Sequence, residues 1–220
     1  MILLILPTQY EFNILQFIMP EKLNGKVVIQ SPGMGKLRTL GCLYESLHKF
    51  GSLEWVILAG YAGSLNEKEL PAGKKVQAEF FREGDFDAGD FESDAEHEIP
   101  KCGEPGPTIF DFDWKIVPFI SQDKFLKTDP YGYFDACATD MESFAVAKFC
   151  KAHAIPYSVV KVISDIVGNT SEDYFKKMAV ELADKMNEQI TLALMAVGDV
   201  IYGPSPVILK TEISEDWEDD

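Results

Sequence analysis

Glu142, Asp165 and Glu11 are the residues of this 220-residue chain whose type and placement could do chemistry. Glu142 stands at the mouth of a predicted helix, within ATDMESFAVAKFCKAHAIPYSVVKVISDIVGN from Ala138 to Asn169. Asp165 lies in the same segment, just beyond a predicted strand that packs beside that helix. Glu11 follows the first predicted strand and its turn. Two carboxyl groups at the ends of adjacent elements suit a site that grips a diol and protonates a leaving group. Each acid also has an ordinary structural explanation: the helix dipole for Glu142, a helix cap for Asp165, a helix-start acid for Glu11. Three acids on one edge of one sheet are harder to explain that way.

Those elements are legible from pattern. Ile2 to Leu6, Lys26 to Gln30, Trp55 to Ala59, Trp114 to Ile120 and Tyr157 to Ile163 read as strands. Leu37 to Phe50 reads as a helix with Leu37, Leu40, Leu43, Leu47 and Phe50 on its apolar face. Met141 to Ala154 and Glu172 to Met195 are further helices, and Pro156 marks the exit of the first. From Asn66 to Thr108 the periodicity fails, with possible short strands near Val76 to Phe81; an excursion over the surface is expected there. Strands alternating with helices predict an α/β, three-layer fold: a central mixed, largely parallel twisted sheet flanked by helices. Ligands bind beyond the carboxyl ends of such strands, where the turns after Leu6, Gln30, Ala59 and Ile163 fall. One domain over 1–205 and an acidic tail over 206–220 are expected.

Other familiar motifs fail. SPGMGK is no P-loop, because Gln30 stands where the first glycine belongs and Leu37 where Ser or Thr should follow Lys36. Nor is it a dinucleotide fingerprint, with Arg38 in place of the third glycine. A tight turn and a ligand loop both remain open for it. His48, His97 and His153 have no second ligand at metal spacing, so no metal is expected. No GxSxG elbow appears.

A net charge of −16 repels phosphate backbones and anionic lipid, which argues against nucleic acid and membrane surfaces as partners. Part of that charge lies in Glu83 to Glu98 and in the SEDWEDD tail. Cys42, Cys102, Cys137 and Cys150 show no CxxC and read as reduced thiols of a cytoplasmic protein. MILLILP is too short for a signal peptide and reads as a buried strand.

Taken in order, several pieces resemble the nucleosidase branch of the nucleoside phosphorylase superfamily, the methylthioadenosine/S-adenosylhomocysteine nucleosidases above all. They are Glu11, GMGK at Gly33 to Lys36, GYAGSL at Gly60 to Leu65, SQDKFL at Ser121 to Leu126, DMESFAVA at Asp140 to Ala147, and KVISD at Lys161 to Asp165. The resemblance implies a purine nucleoside as substrate, hydrolysis of its N-glycosidic bond, no cofactor, and a homodimer. It assigns Asp165 to protonating N7 of the base and Glu11 to activating water. Glu142 would accept the ribose hydroxyls, Phe125 stack on the base, Leu126 offer it main-chain groups, Met141 pack beneath the ribose, and Gly63 and Lys161 line the substrate. Bond cleavage builds positive charge on the sugar and negative charge on the base, so a proton donor at one and carboxylates at the other are what the reaction needs.

Departures separate the branches. Phosphorolytic relatives carry an arginine before the GxxG loop and a serine inside it; here Leu58 and Tyr61 occupy those places. Water is therefore the expected nucleophile, although Lys36 or Arg38 could reach an anion. The turn Thr8 to Glu11 must be one residue short for Glu11 to serve as base, and Lys161 stands where arginine is common near the water. ISDIVGN is also similar to futalosine hydrolase, the second substrate reading. A phosphorylase, and a nucleoside-binding protein without catalysis, are the alternatives.

Overall fold

The computed structural model describes residues 1–85, 98–99, 107–126, 136–168 and 171–204. The tail from 206 to 220, Phe86, His97 and Cys102 lie outside the described residues.

Apolar, β-branched runs form the strands and the amphipathic stretches form helices, in an α/β arrangement around a mixed sheet. In chain order the elements are β1 (Ile2–Ile5), α1 (Gln9–Asn13), β2 (Val27–Gln30), α2 (Lys36–Phe50), β3 (Trp55–Ser64), β4 (Lys75–Glu83) and β5 (Glu98–Ile99). They continue with β6 (Lys115–Ser121), β7 (Ala138–Asp140), α3 (Ser143–His153), β8 (Tyr157–Ile166), α4 (Glu172–Glu181) and α5 (Ala183–Tyr202). Side chains alternate across β1, as strand geometry requires. Leu3 and Ile5 join Leu43, Phe144 and Phe149 of α2 and α3 in one core. Ile2, Leu4 and Leu6 join Met186, Ile190 and Leu194 of α5 in the other.

The sheet does not stay an open twisted layer, as the sequence pattern alone would have it. β8 pairs with β3 on one flank and with β4 on the other, so β3, β7, β6, β4 and β8 close into a ring. β3 and β8 run parallel, as do β7, β6 and β4; the two blocks meet antiparallel at β3–β7 and β4–β8. Strand β4 belongs to this ring, so its residues are no surface excursion. The possible short strands near Val76 to Phe81 are this one strand, bulged opposite Pro118 of β6 where the register shifts between Ala78 and Phe81.

Four boundaries also move. β3 continues through Gly60 to Ser64, where a closing loop was expected, because β7 and β8 pair with it there. β8 runs on to Ile166, so Asp165 sits within the strand and not beyond it. The long C-terminal helix divides at Leu182 into α4 and α5, and α5 extends to Tyr202, past the expected end of the helix at Met195. Leu37, read as a core position of α2, is 79% exposed. Among the described residues no helix is long and apolar enough to cross a membrane.

Candidate active site

Glu11 is buried in the middle of α1, a helix of five residues. Five residues cannot hold a helix by themselves, and α1 is fixed instead by a capping box. The Thr8 hydroxyl accepts from Glu11 N at 3.0 Å, while Glu11 Oε2 accepts from Thr8 N and Thr8 Oγ1, each at 2.8 Å. Its other oxygen, Oε1, accepts from the backbone N–H of Tyr61 in β3 at 2.8 Å. Gly60 makes room for this contact. A Cβ there would lie 2.2 Å from Glu11 Oε1, and the residue has a φ of +130°. The Tyr61 side chain turns away and donates to Ala179 O of α4 at 2.6 Å.

Lys161 is the next registered neighbour, paired with Gly60 across β3 and β8. Its side chain is 0% exposed. The ammonium lies 3.7 Å from Asp140 Oδ2 and 3.9 Å from Glu142 Oε2, and makes no hydrogen bond among the described residues. A buried lysine in this position is held by charge, with no carboxylate among the described residues close enough to take one of its protons in a hydrogen bond.

The antiparallel seam explains how Glu142 reaches it. β7 pairs Ala138 with Ser64 and Thr139 with Gly63, so the chain travels back down β3 toward Gly60 before α3 begins. Glu142 occupies the N-cap position of α3, yet its carboxylate does not cap that helix. It accepts instead from Gly35 N in the glycine-rich turn, at 2.9 Å. The helix start is served by Asp140, which accepts from Ser143 N at 3.2 Å and from the hydroxyls of Ser121 and Ser143 at 2.7 Å each. Burial pushes the Glu142 carboxyl up to about 8, with Asp140 and Glu11 adding to the rise. Lys161 and the Gly35 amide oppose it.

That shift has a measurable consequence. If ionised Glu142 receives two hydroxyls, kcat/KM should rise with pH along a limb centred near 8, since this ratio reports the free enzyme. The residual activity of Glu142→Gln should lack the limb. The folded value lies above the unfolded one, so between about 4.5 and 8 the folded chain holds a proton that the unfolded chain has released. The group's contribution to stability therefore falls as pH rises through that window.

Asp165 is buried three residues further along β3, roughly 10 Å of strand from Gly60. Ile163 pairs with Ala62 and Asp165 with Gly63, leaving Ser164 as the extra residue of a bulge. The Ser164 hydroxyl donates to Asp165 Oδ1. Bulges re-aim side chains beside sites, and here one sets the aspartate next to Gly63. A Cβ on Gly63 would meet Asp165 Oδ2 at 3.4 Å and Thr139 Cγ2 at 3.1 Å. Among the described residues the helix after β8 is capped by Ser171 and not by Asp165.

Glu11, Lys161, Glu142, Gly63 and Asp165 thus share one rim, around the carboxyl-terminal half of β3. Met141, half-buried, precedes Glu142 on it. Phe125, 52% exposed, and Leu126 follow β6 in the loop anchored by Asp123. Sequence reasoning quoted Asp140, Ser121, Gly35 and Gly60 within its motifs but counted none of them among the site residues. Asp140 carried a readable signal, an acid three residues before Ser143 at a helix start; the other three act through partners distant in sequence. No cluster of metal-ligating side chains occurs among the described residues.

No protein-family model matches the chain. It is 26% identical over 195 residues to the 5'-methylthioadenosine/S-adenosylhomocysteine nucleosidase of Staphylococcus haemolyticus, covering 80% of this chain and 84% of that one. Among solved structures it superimposes on the Helicobacter pylori 5'-methylthioadenosine/S-adenosylhomocysteine nucleosidase with a TM-score of 0.71 at 18% identity, over 89% of this chain and 97% of the other. The futalosine hydrolase of the same organism gives 0.70 at 18%, over 89% and 96%.

Proposed function

We propose that this chain, a member of the nucleoside phosphorylase/nucleosidase superfamily, hydrolyses the N-glycosidic bond of a purine nucleoside of the methylthioadenosine/S-adenosylhomocysteine type. The observation that carries this reading is the meeting of Glu11, Glu142, Lys161 and Asp165, all buried, along one stretch of β3.

In the proposed reaction Glu11 takes a proton from water as its oxygen adds to C1′ of the ribose. The C1′–N9 bond breaks, and Asp165 delivers a proton to N7 so that the base leaves neutral. Glu142 accepts the 2′- and 3′-hydroxyls. Lys161 directs its unused donors at the water and the sugar. Phe125 stacks on the base, Leu126 offers it backbone groups, Met141 packs under the ribose, and the missing side chain of Gly63 lets the base approach Asp165. The developing positive charge on the sugar is met by carboxylates, which is the differential stabilisation catalysis requires.

Two features favour water over phosphate. The amide of Tyr61, at the place where a phosphate loop would offer its backbone, already donates to Glu11 Oε1. An anion bound there would face that carboxylate. Lys36, one of two cations beside the glycine-rich turn, is spent on Glu83 and Asp85, and the other, Arg38, lies against Gly33. The expected result is release of free base from methylthioadenosine and S-adenosylhomocysteine with no dependence on phosphate. Ribose 1-phosphate among the products would overturn hydrolysis, and faster turnover of futalosine than of either would move the substrate to that relative.

A homodimer belongs to the same reading. Met34, Leu37 and Tyr44 are exposed together on and before α2, close to the turn that holds Glu142. A sedimentation mass of a single chain would remove it.

A further inference from the structure

We propose that Lys36 is a positioning residue: its ammonium clamps the glycine-rich turn to the loop that carries Phe125, and so sets the width of the nucleoside site. The inference rests on the reading above for what occupies that site, but the clamp itself is drawn from contacts that no catalytic role uses.

Three segments meet at this side chain. Lys36 Nζ donates to Glu83 Oε1 at the end of β4 at 2.8 Å and to Asp85 Oδ1 just beyond it, and lies 3.8 Å from Asp123 Oδ2. The backbone joins in. Lys36 N donates to Asp123 Oδ1 at 2.8 Å, and Asp123 N donates to Asp85 Oδ2 at 2.6 Å. Asp123 therefore bonds the glycine-rich turn on one side and the end of β4 on the other, two residues before Phe125. On the opposite side of the same turn, Gly35 N holds Glu142. Gly35 has a φ of +106°, and a Cβ on it would lie 3.2 Å from Asp123 Oδ1, so the turn can come this close only as glycine.

Charge decides what the lysine does. Without it, three carboxylates would face one another across the gap between two loops, and like charges at such range repel. Burial alone would lower the Lys36 pKa, but its bonds to Asp85 and Glu83 outweigh that and raise it. Burial alone would raise that of Asp85; the bond to Lys36 wins and lowers it. Both groups stay charged across the neutral range. A base stacked on Phe125 and a ribose held by Glu142 are gripped alike in ground and transition states, so loosening the clamp should weaken binding and spare the chemical step.

The test is steady-state base release from methylthioadenosine by the full chain and by Lys36→Met, Lys36→Arg and Asp85→Asn. Lys36→Met should raise KM about 10-fold with kcat held within about 3-fold. Lys36→Arg should recover most of that loss, and Asp85→Asn should shift KM in the same direction. A KM unchanged in both Lys36→Met and Asp85→Asn, or a kcat loss equal to the KM change, would overturn the clamp; so would a fall in Tm with KM untouched. Should Lys36→Met not fold, Asp85→Asn carries the same comparison. If the parent chain releases no base, the proposed function fails separately, and the clamp is read from the Kd of methylthioadenosine in the same variants. A roughly 10-fold rise supports it, and an unchanged Kd overturns it.

Discussion

Asp165→Asn should lower base release by about 10³-fold, the scale expected when a positioned proton donor is removed, while nucleoside binding survives. Asparagine keeps the shape of the side chain and can still donate a hydrogen bond to N7, but it has no proton to transfer. The bulge that sets the aspartate beside Gly63 is a backbone feature, and the Ser164 hydroxyl can donate to an amide oxygen as it does to Oδ1. The ground-state complex should therefore form with a Kd within a few-fold of the parent, measured by calorimetry with methylthioadenosine. A variant that keeps more than about a tenth of the parent rate would remove Asp165 from its role. Parallel loss of binding and turnover would make it a binding residue.

Gly60→Ala should be the most damaging glycine-to-alanine change among the described residues. Its Cβ would sit 2.2 Å from Glu11 Oε1 and 2.9 Å from Glu11 Cδ, and a φ of +130° is one that side chains rarely adopt. The carboxylate is buried and held by three donors, so it cannot step aside without leaving them. Lost charge-assisted bonds and backbone strain together should cost about 3 kcal/mol. For a chain of this size that is a fall in Tm of roughly 10 °C. Turnover should drop by about 10²-fold or more as the base leaves its place. Gly41→Ala is the control: it lies in α2 with nothing within 4 Å of its Cβ, and should hold or gain stability. A Gly60→Ala protein with parental Tm and kcat would show that Glu11 is not seated as described.

The regular parts of the fold were legible because burial writes itself into pattern. β1, β2, β6 and the helices over Lys36–Phe50 and Ser143–His153 fall where apolar runs and periods put them. β4 was legible only as possible short strands near Val76 to Phe81, its alternation blurred by Glu79 and Arg82 in a bulged strand, and β7, three residues long, was not read at all. The ring closure was invisible in principle, since it depends on β8 pairing across sequence separations that no local window spans. The acids themselves were readable as types. What held them was not: Gly35 for Glu142, Tyr61 N for Glu11 and the Ser164 bulge for Asp165 are contacts made by backbone. Almost every residue carries the backbone groups for such contacts, so apart from the glycine at Gly35 the residue types bear no mark of them.

A strand bonded along both flanks resists sliding more than one bonded along a single flank. Moving β8 by one residue would break its ladders to β3 and β4 at once and swing every side chain to the other face. Evolution can therefore exchange apolar residues on the outer helices, provided volume and pattern are kept, without altering where the strand ends point. Ancestry in such a protein fades from the letters long before it fades from the shape.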